Sequence, residues 1–231
     1  MTPDQLSAVM EATWPPARSW RLGPFTLRDG AGGGKRVSAA SAAEPWTEVD
    51  LAKLEAAMAE PLVLIRDGDE GLDSALETRG WRVVDPVVAY VAAVSDLVAD
   101  LPPLSAFAHW PPLQIARTIW GEGGIGPARL AVMERVVGDK AVLLARMADR
   151  PAGVAFVARL GDDAMLHALE VRPALRRQGA GEVLLRAAAN WAAAVEASRL
   201  SLVVTRQNMA ARALYTRLGM QVAGQYHYRM K

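Results

Sequence analysis

Val171-Arg-Pro-Ala-Leu-Arg176-Arg177-Gln178-Gly179-Ala180-Gly181 is the stretch that decides the fold. The residues before it, Ala164 to Val171, are mostly apolar and suit a buried strand. Those after it, Leu184, Ala188, Trp191 and Val195, recur at helical spacing. The glycines therefore fall at a helix N-terminus. There the unpaired N–H groups and the dipole, equivalent to roughly half a positive charge, favour an anion, and residues without bulky side chains let its oxygens approach the backbone. Arg176 and Arg177 add charge beside it, so the segment reads as a cradle for a diphosphate.

Two other glycine-rich turns use the same physics, and both fail here. A dinucleotide-binding turn needs its glycines at the first strand-to-helix turn and an acidic residue roughly 20 positions on, whereas the next strand, Leu200 to Val204, ends in Thr205-Arg206. A P-loop needs Gly-Lys-Ser/Thr, which is absent from this segment. Arg176, Gly179 and Gly181 instead resemble motif A, Arg/Gln-x-x-Gly-x-Gly/Ala, of the GCN5-related N-acetyltransferases (GNAT). Downstream, Asn208-Met-Ala-Ala211-Arg-Ala-Leu214-Tyr215-Thr-Arg-Leu-Gly219-Met220 resembles motif B of the same family, Asn-x-x-Ala-x-x-Leu-Tyr-x-x-x-Gly-Phe/Met. Two motifs in order, separated by one helix and one strand, are far more specific than either alone. The resemblance covers about Ser105 to Lys231.

That resemblance implies an α+β acyl-CoA N-acyltransferase fold, a mixed central sheet flanked by helices. It also implies an N-acetyltransferase with acetyl-CoA as cosubstrate, passing its acetyl group directly to a primary amine through a tetrahedral intermediate. The acceptor class stays open among small molecules, peptide amino termini and lysine side chains; a protein that binds acetyl-CoA without turnover is the alternative. Carried over residue by residue, the cofactor would be held by Arg176, Arg177, Gln178, Gly179, Ala180 and Gly181. The main chains of Leu169 and Val171 would run along the pantetheine arm, and Asn208 would touch the cofactor or cap its own helix. Tyr215 would be the acid, because a phenol with a pKa near ~10 is protonated at neutral pH and can give its proton to the departing thiolate.

An alkylamine with a pKa near ~10.4 also needs a base. Glu170, at the end of the strand that leads into the cradle, is the first choice, since burial would raise its pKa and strengthen it as a base. His167 has a suitable unperturbed pKa but lies three residues earlier, so strict alternation puts it on the opposite face; a local bulge would upset that assignment. A water relay is the third possibility. The closing aromatics Tyr226 and Tyr228 suit either the acceptor pocket or packing.

Composition narrows the remaining options. With 52% hydrophobic residues the chain can bury a real core, and a net charge of +1 gives no reason to expect nucleic acid or an anionic membrane as the main partner. With no cysteine, neither disulfides nor a thiolate nucleophile is available, so an acetyl-thiol enzyme intermediate is excluded. The N-terminal residues lack a signal-peptide pattern and no apolar run reaches the roughly 18 residues needed to span a membrane, which makes the cytoplasm the expected location. Monomer and homodimer are both compatible with the sequence.

Along the chain, Leu-Pro-Pro at 101–103 and Trp-Pro-Pro at 110–112 bracket an expected linker over 96–110. The expected domains are 1–95 and 111–231. The first half reads as a helix at 3–13, strands at 24–29 and 36–41, a helix at 47–59 capped by Thr47 and Asp50, a strand at 61–66, a helix at 70–79 and a strand at 82–94. Asp73-Ser-Ala-Leu76-Glu-Thr-Arg-Gly80-Trp81 aligns without gaps on Arg212 to Met220, with Leu76 in the place of Tyr215. Residues 1–95 are therefore expected to be a degenerate copy of the catalytic domain, lacking Arg-x-x-Gly-x-Gly. Gly30 to Gly34 is expected to be a flexible hairpin connection, because Asp29 and Arg36 break the P-loop pattern around it. For Gly121 to Pro127, substrate loop and spacer are both open.

Overall fold

A computed structural model describes residues 1–231. In chain order the elements are α1 (Pro3–Thr13), β1 (Arg18–Leu22), β2 (Phe25–Asp29), β3 (Ser41–Ala42), α2 (Glu48–Ala57), β4 (Leu62–Arg66), α3 (Glu70–Thr78), β5 (Arg82–Ala93) and α4 (Val94–Leu97). There follow β6 (Ala106–His109), α5 (Gln114–Glu122), α6 (Pro127–Arg135), β7 (Lys140–Met147), β8 (Arg150–Leu160), β9 (Asp163–Val171), α7 (Ala180–Ala194), β10 (Arg199–Thr205), α8 (Met209–Arg217) and β11 (Gln221–Met230). Thr47 and Asp50 form the expected reciprocal cap on α2, and Thr2 with Gln5 does the same for α1. No helix is long and apolar enough to cross a membrane.

Eight strands form one mixed sheet in the order β4-β11-β5-β10-β9-β8-β7-β6; β1, β2 and β3 form a small second sheet. On one face the alanine-rich α7 lies close against β7 to β10, burying Leu184 and Leu185 completely, each worth about 2–3 kcal/mol. On the other, α5 and α6 enclose Trp120, Met133 and Phe156, and α1 lays Leu6, Val9 and Met10 against Met165, Tyr226 and Tyr228.

The halves of the chain interlock within this sheet. β11, the last strand, pairs with β4 on one side and β5 on the other, while β5 separates β11 from β10. The units β4-α3-β5 and β10-α8-β11 keep a constant spacing: Glu70–Thr78 and Met209–Arg217 lie 139 positions apart at both ends, as do the ends of β4 and β10 at Arg66 and Thr205. Each unit thus lends its second strand to the first strand of the other. Buried Arg229 on β11 fastens the exchange, donating from Nε to Asp73 Oδ1 on α3 (2.6 Å) and from Nη1 to the Trp81 carbonyl (2.9 Å).

Three expectations change. The segment 96–110 is more than a linker: its Pro-Pro pairs bracket β6, whose residues pair with Val142 to Ala145 and complete the edge of the main sheet. The strand expected at 36–41 shrinks to a 3₁₀ turn at Lys35–Val37 and the two residues of β3, because Ala31, Gly32 and Gly34 all have positive φ and turn the chain out of extended geometry. Nor is Gly30 to Gly34 a free hairpin tip. It is packed on α6, where a Cβ on Gly33 would lie 2.6 Å from Val132 Cγ2.

Candidate active site

β9 and β10 run parallel and paired from Asp163↔Arg199 to Leu166↔Leu202, and there the pairing ends. From His167 onward β9 has no strand partner on that side, so a gap opens between two adjacent strands directly ahead of the helix α7. Arg172 N–H donates to the Ala152 carbonyl beyond the end of the β8 pairing, which turns the main chain of Val171, and of Leu169 two residues earlier, toward the gap. The Val171 carbonyl accepts from Arg176 Nε (3.1 Å), which ties the loop back onto the strand and leaves the Val171 N–H facing the gap.

The loop ends at Gly179, in left-handed geometry at φ 91°, and α7 begins without a side-chain cap. An uncapped start leaves the first N–H groups of the helix available to a ligand. Arg176, Arg177, Gln178 and Gly179 are exposed around it. Gln178 donates to the Ala174 carbonyl (3.3 Å), a contact that shapes the loop. Gly181 is required by packing: a Cβ there would sit 3.1 Å from Leu214 Cδ2 of α8. The one carboxylate in the first turn, Glu182, is held by Arg217 (3.0 Å) and Arg186 (3.5 Å).

Alternation along β9 breaks at Ala168, whose φ of 51° marks a bulge where the β8–β9 register shifts. The expected opposition of His167 and Glu170 is therefore reversed. His167 stacks near Trp14 and Phe156 (centroids 5.1 and 6.2 Å), and Glu170 lies against Gly123 at the end of α5, on the same side of the sheet. Trp120 Nε1 donates to the carbonyl of the bulged Ala168 (2.7 Å) and holds it in place.

Glu170 is half-buried. Desolvation pushes its carboxyl above the usual range, partly offset by Arg176 and Arg129. A Cβ on Gly123 would come within 2.7 Å of the Glu170 carboxyl carbon, so the glycine makes the room that this side chain occupies. The loop from Gly121 to Pro127 is thus a wall of the site around Glu170.

His167 is fully enclosed and both its nitrogens are engaged. Thr13 Oγ1 donates its single proton to the Val9 carbonyl (2.5 Å), so it accepts from His167 Nε2 (2.8 Å); Nδ1 then accepts from Arg36 Nη1 (3.0 Å). Burial first, and the Arg36 charge second, hold the imidazole neutral, well below its ordinary pKa.

Tyr215 is buried in the last turn of α8. Desolvation, with the neighbouring Tyr90, pushes its pKa up to about 12. The Tyr90 ring lies 5.6 Å away and its hydroxyl accepts from Arg212 Nε (3.3 Å). Asn208 caps α8 by accepting from Ala211 N–H (3.1 Å). Sequence reasoning did not find Tyr90, Thr13, Trp14 or Arg36. All belong to the first half, and nothing local marks them: Arg36 and Thr13 reach His167 across 131 and 154 positions.

A sheet whose neighbouring strands part ahead of a glycine-started helix, with a tyrosine on the next helix, defines an α+β acyltransferase architecture. Residues 118–220 match the family described as "Acetyltransferase (GNAT) family". The second half of the chain thus carries a domain of that acetyltransferase family. The chain is 25% identical over 250 residues to the uncharacterized N-acetyltransferase YobR of Bacillus subtilis (strain 168), with 98% of each chain covered. Among solved structures, a GCN5-related N-acetyltransferase from Kribbella flavida superposes with a TM-score of 0.72 at 19% identity, over 100% of this chain and 96% of its own. A tandem GNAT protein from the clavulanic acid biosynthesis pathway superposes at 0.64 and 14% identity, over 99% and 88%. At these identities the structural likeness is one of fold, and it extends over both halves.

Proposed function

We propose that this protein transfers an acetyl group from acetyl-CoA to the nitrogen of a primary amine. The observation that carries the reading is the gap between β9 and β10 beyond Leu166, opening onto the uncapped start of α7. The residues present fit the cosubstrate. Gly179 adopts φ 91° at the turn, and the helix start leaves donors for a diphosphate where Arg176 and Arg177 add charge. The N–H groups of Gly179, Ala180 and Gly181 would hold the diphosphate, with Gln178 shaping the loop. Leu169 and Val171 offer main-chain groups to the pantetheine arm, and Asn208 fixes the start of α8 beside it. When bound, acetyl-CoA supplies a thioester acyl group.

Glu170 takes the proton of the incoming amine, directly or through one water, and its raised pKa makes it the better base. His167 has no free nitrogen for that task. Tyr215, protonated throughout the neutral range, gives a proton to the departing thiolate. We read the first half as a degenerate copy that holds no cofactor of its own; the constant 139-residue spacing supports it.

The test is release of free thiol from acetyl-CoA with a pooled amine library. Release that depends on amine, and falls by about 10²-fold in Tyr215→Phe while acetyl-CoA affinity is retained, is the expected result. Tight binding with no thiol release from any pool would instead make the protein a sensor of acetyl-CoA.

A further inference from the structure

A cleft on the α1 face of the sheet has no role in holding the cosubstrate. It lies between α1, β4 and β11. Leu6, Met10, Trp14 and Leu64 give it apolar sides. Its floor, Gly224 to Tyr226, is level with the gap: the register runs Val203↔Ala89↔Gly224, Val204↔Val88↔Gln225 and Thr205↔Val87↔Tyr226. Two strand spacings, roughly 10 Å, therefore separate that floor from β10, where it parts from β9.

Three arginines line this cleft, and they differ in what they already bind. Arg28 is saturated, with both Glu11 oxygens (2.8 and 3.2 Å), the Ala39 carbonyl and Ser41 Oγ. Arg66 is held by Asp69, Ser7 and the Ala42 carbonyl. Arg36 has no carboxylate within ion-pair distance. It donates from Nη1 to His167, lies 5.9 Å from the Trp14 ring centroid, and keeps a buried Nε with no partner.

A buried guanidinium Nε with an unmade hydrogen bond is a costly arrangement, which an incoming acceptor would relieve. His167 cannot move to supply it, since its tautomer and ring are fixed by Thr13. The cleft's own carboxylates do not supply it either, because Glu11 is committed to Arg28 and Asp67 forms no ion pair with Arg36. A planar fork with free donors matches a carboxylate better than any single-point anion.

We propose that this cleft is the acceptor site and that the acceptor is a small amine bearing a carboxylate, an amino acid or a close relative, with Arg36 receiving the carboxylate. The inference rests on the acetyl-transfer reading for the role of the amine. The anion site itself stands on the geometry of Arg36 alone. His167 and Thr13 are positioning residues here, since they aim Arg36 rather than touch the ligand. The first half of the chain thereby supplies substrate specificity to the catalytic second half.

The experiment uses the full chain and matched probes: the common amino acids, their carboxamides, and the N-acetyl derivatives of both. Calorimetry and ligand-observed NMR, with and without CoA, should show binding of carboxylates and not of amides. In the thiol-release assay, Arg36→Gln should raise KM for the preferred amino acid by about 10²-fold with a much smaller change in kcat, and leave acetyl-CoA affinity intact. Arg36→Lys, which keeps the charge and loses the fork, should fall between the two; it also serves if the glutamine variant fails to fold. Wild-type protein that binds no carboxylate, or binds acids and amides alike, overturns the site whether or not the enzyme turns over. Carboxylate binding unchanged in Arg36→Gln overturns it too. Carboxylate binding that depends on Arg36 without any thiol release would retain the anion site and sink only the acetyl-transfer reading.

Discussion

Two helices of this chain, α2 and α7, each follow a β-hairpin and precede a strand of the main sheet, yet they begin in opposite ways. α7 starts at a left-handed glycine with no side-chain cap, behind two exposed arginines. α2 starts at Thr47, which accepts from Asp50 N–H (3.3 Å) while Asp50 takes the Thr47 N–H (3.0 Å) and hydroxyl proton (2.6 Å); Glu48 adds a second acid. One helix leaves its donors to a visitor, and the other spends them on its own carboxylate.

The strand gaps ahead of these helices differ as well. β9 and β10 part with no strand inserted between them, whereas the chain itself fills the space between β2 and β4, with Phe25↔Ala42 and Thr26↔Ser41 on one side and Ala40↔Val63 on the other. On the proposed reading, a common skeleton does not by itself confer a cofactor site; the conformation at one helix start and the contents of one strand gap decide it.

The largest effect expected is from removing residues 1–95. An independent second domain would survive this, but β11 would lose both of its partners and β10 would lose β5. Arg229 would lose Asp73, the Trp81 carbonyl and both strands that enclose it. The truncated chain should show no dispersed NMR spectrum and no cooperative thermal transition. A folded fragment that binds acetyl-CoA would break the picture of exchanged strands.

Gly179→Glu sharpens the contrast between the helix starts, because it gives α7 the acidic character of α2. It also forces a side chain into left-handed geometry. Calorimetry on the full chain should give one acetyl-CoA per chain before the change and none after it, with circular dichroism confirming the fold. A second site in the unaltered protein would show that the α2 side is still competent.

Glu170 tests the chemistry proposed for the gap between β9 and β10. Its pKa is raised, chiefly by desolvation, so kcat/KM should fall as pH drops and the carboxylate takes up a proton, with a midpoint above the usual carboxylate range. Glu170→Gln should lower turnover by ~10²-fold or more and remove that acid limb. A limb unchanged in this variant would hand the base to another group.

Much of this was legible in the sequence for reasons that are local. Gly179 and Gly181 at a strand-to-helix turn, Thr47 with Asp50 before an apolar helix, and the ungapped match of Asp73 to Trp81 with Arg212 to Met220 all encode geometry within a few residues. What stayed hidden is set by distant contacts. Nothing near His167 announces that Ala168 bulges under Trp120, and strict alternation gave the wrong face for it. The exchange of β5 and β11 leaves no trace in either strand, since a strand's pattern records its faces and not its neighbours. Arg36 reads as one more surface cation until the fold carries it to His167.

The smallest effect is the most discriminating for the comparison itself. Thr47→Ala removes the hydroxyl that caps α2, and losing such a cap costs about 1 kcal/mol, so the melting temperature should fall by ~2–4 °C in a chain of this size. Asp50 and Glu48 remain, and Ala40 to Ala42 still fill the space between β2 and β4. Acetyl-CoA stoichiometry should therefore stay at one with unchanged affinity, because α7 is untouched. If uncapping α2 instead exposes a second, weaker cofactor site, the filled gap counts for little and the cap alone silences the first half. A titration that separates one site from two decides between a copy that is blocked throughout and one held shut at a single helix start.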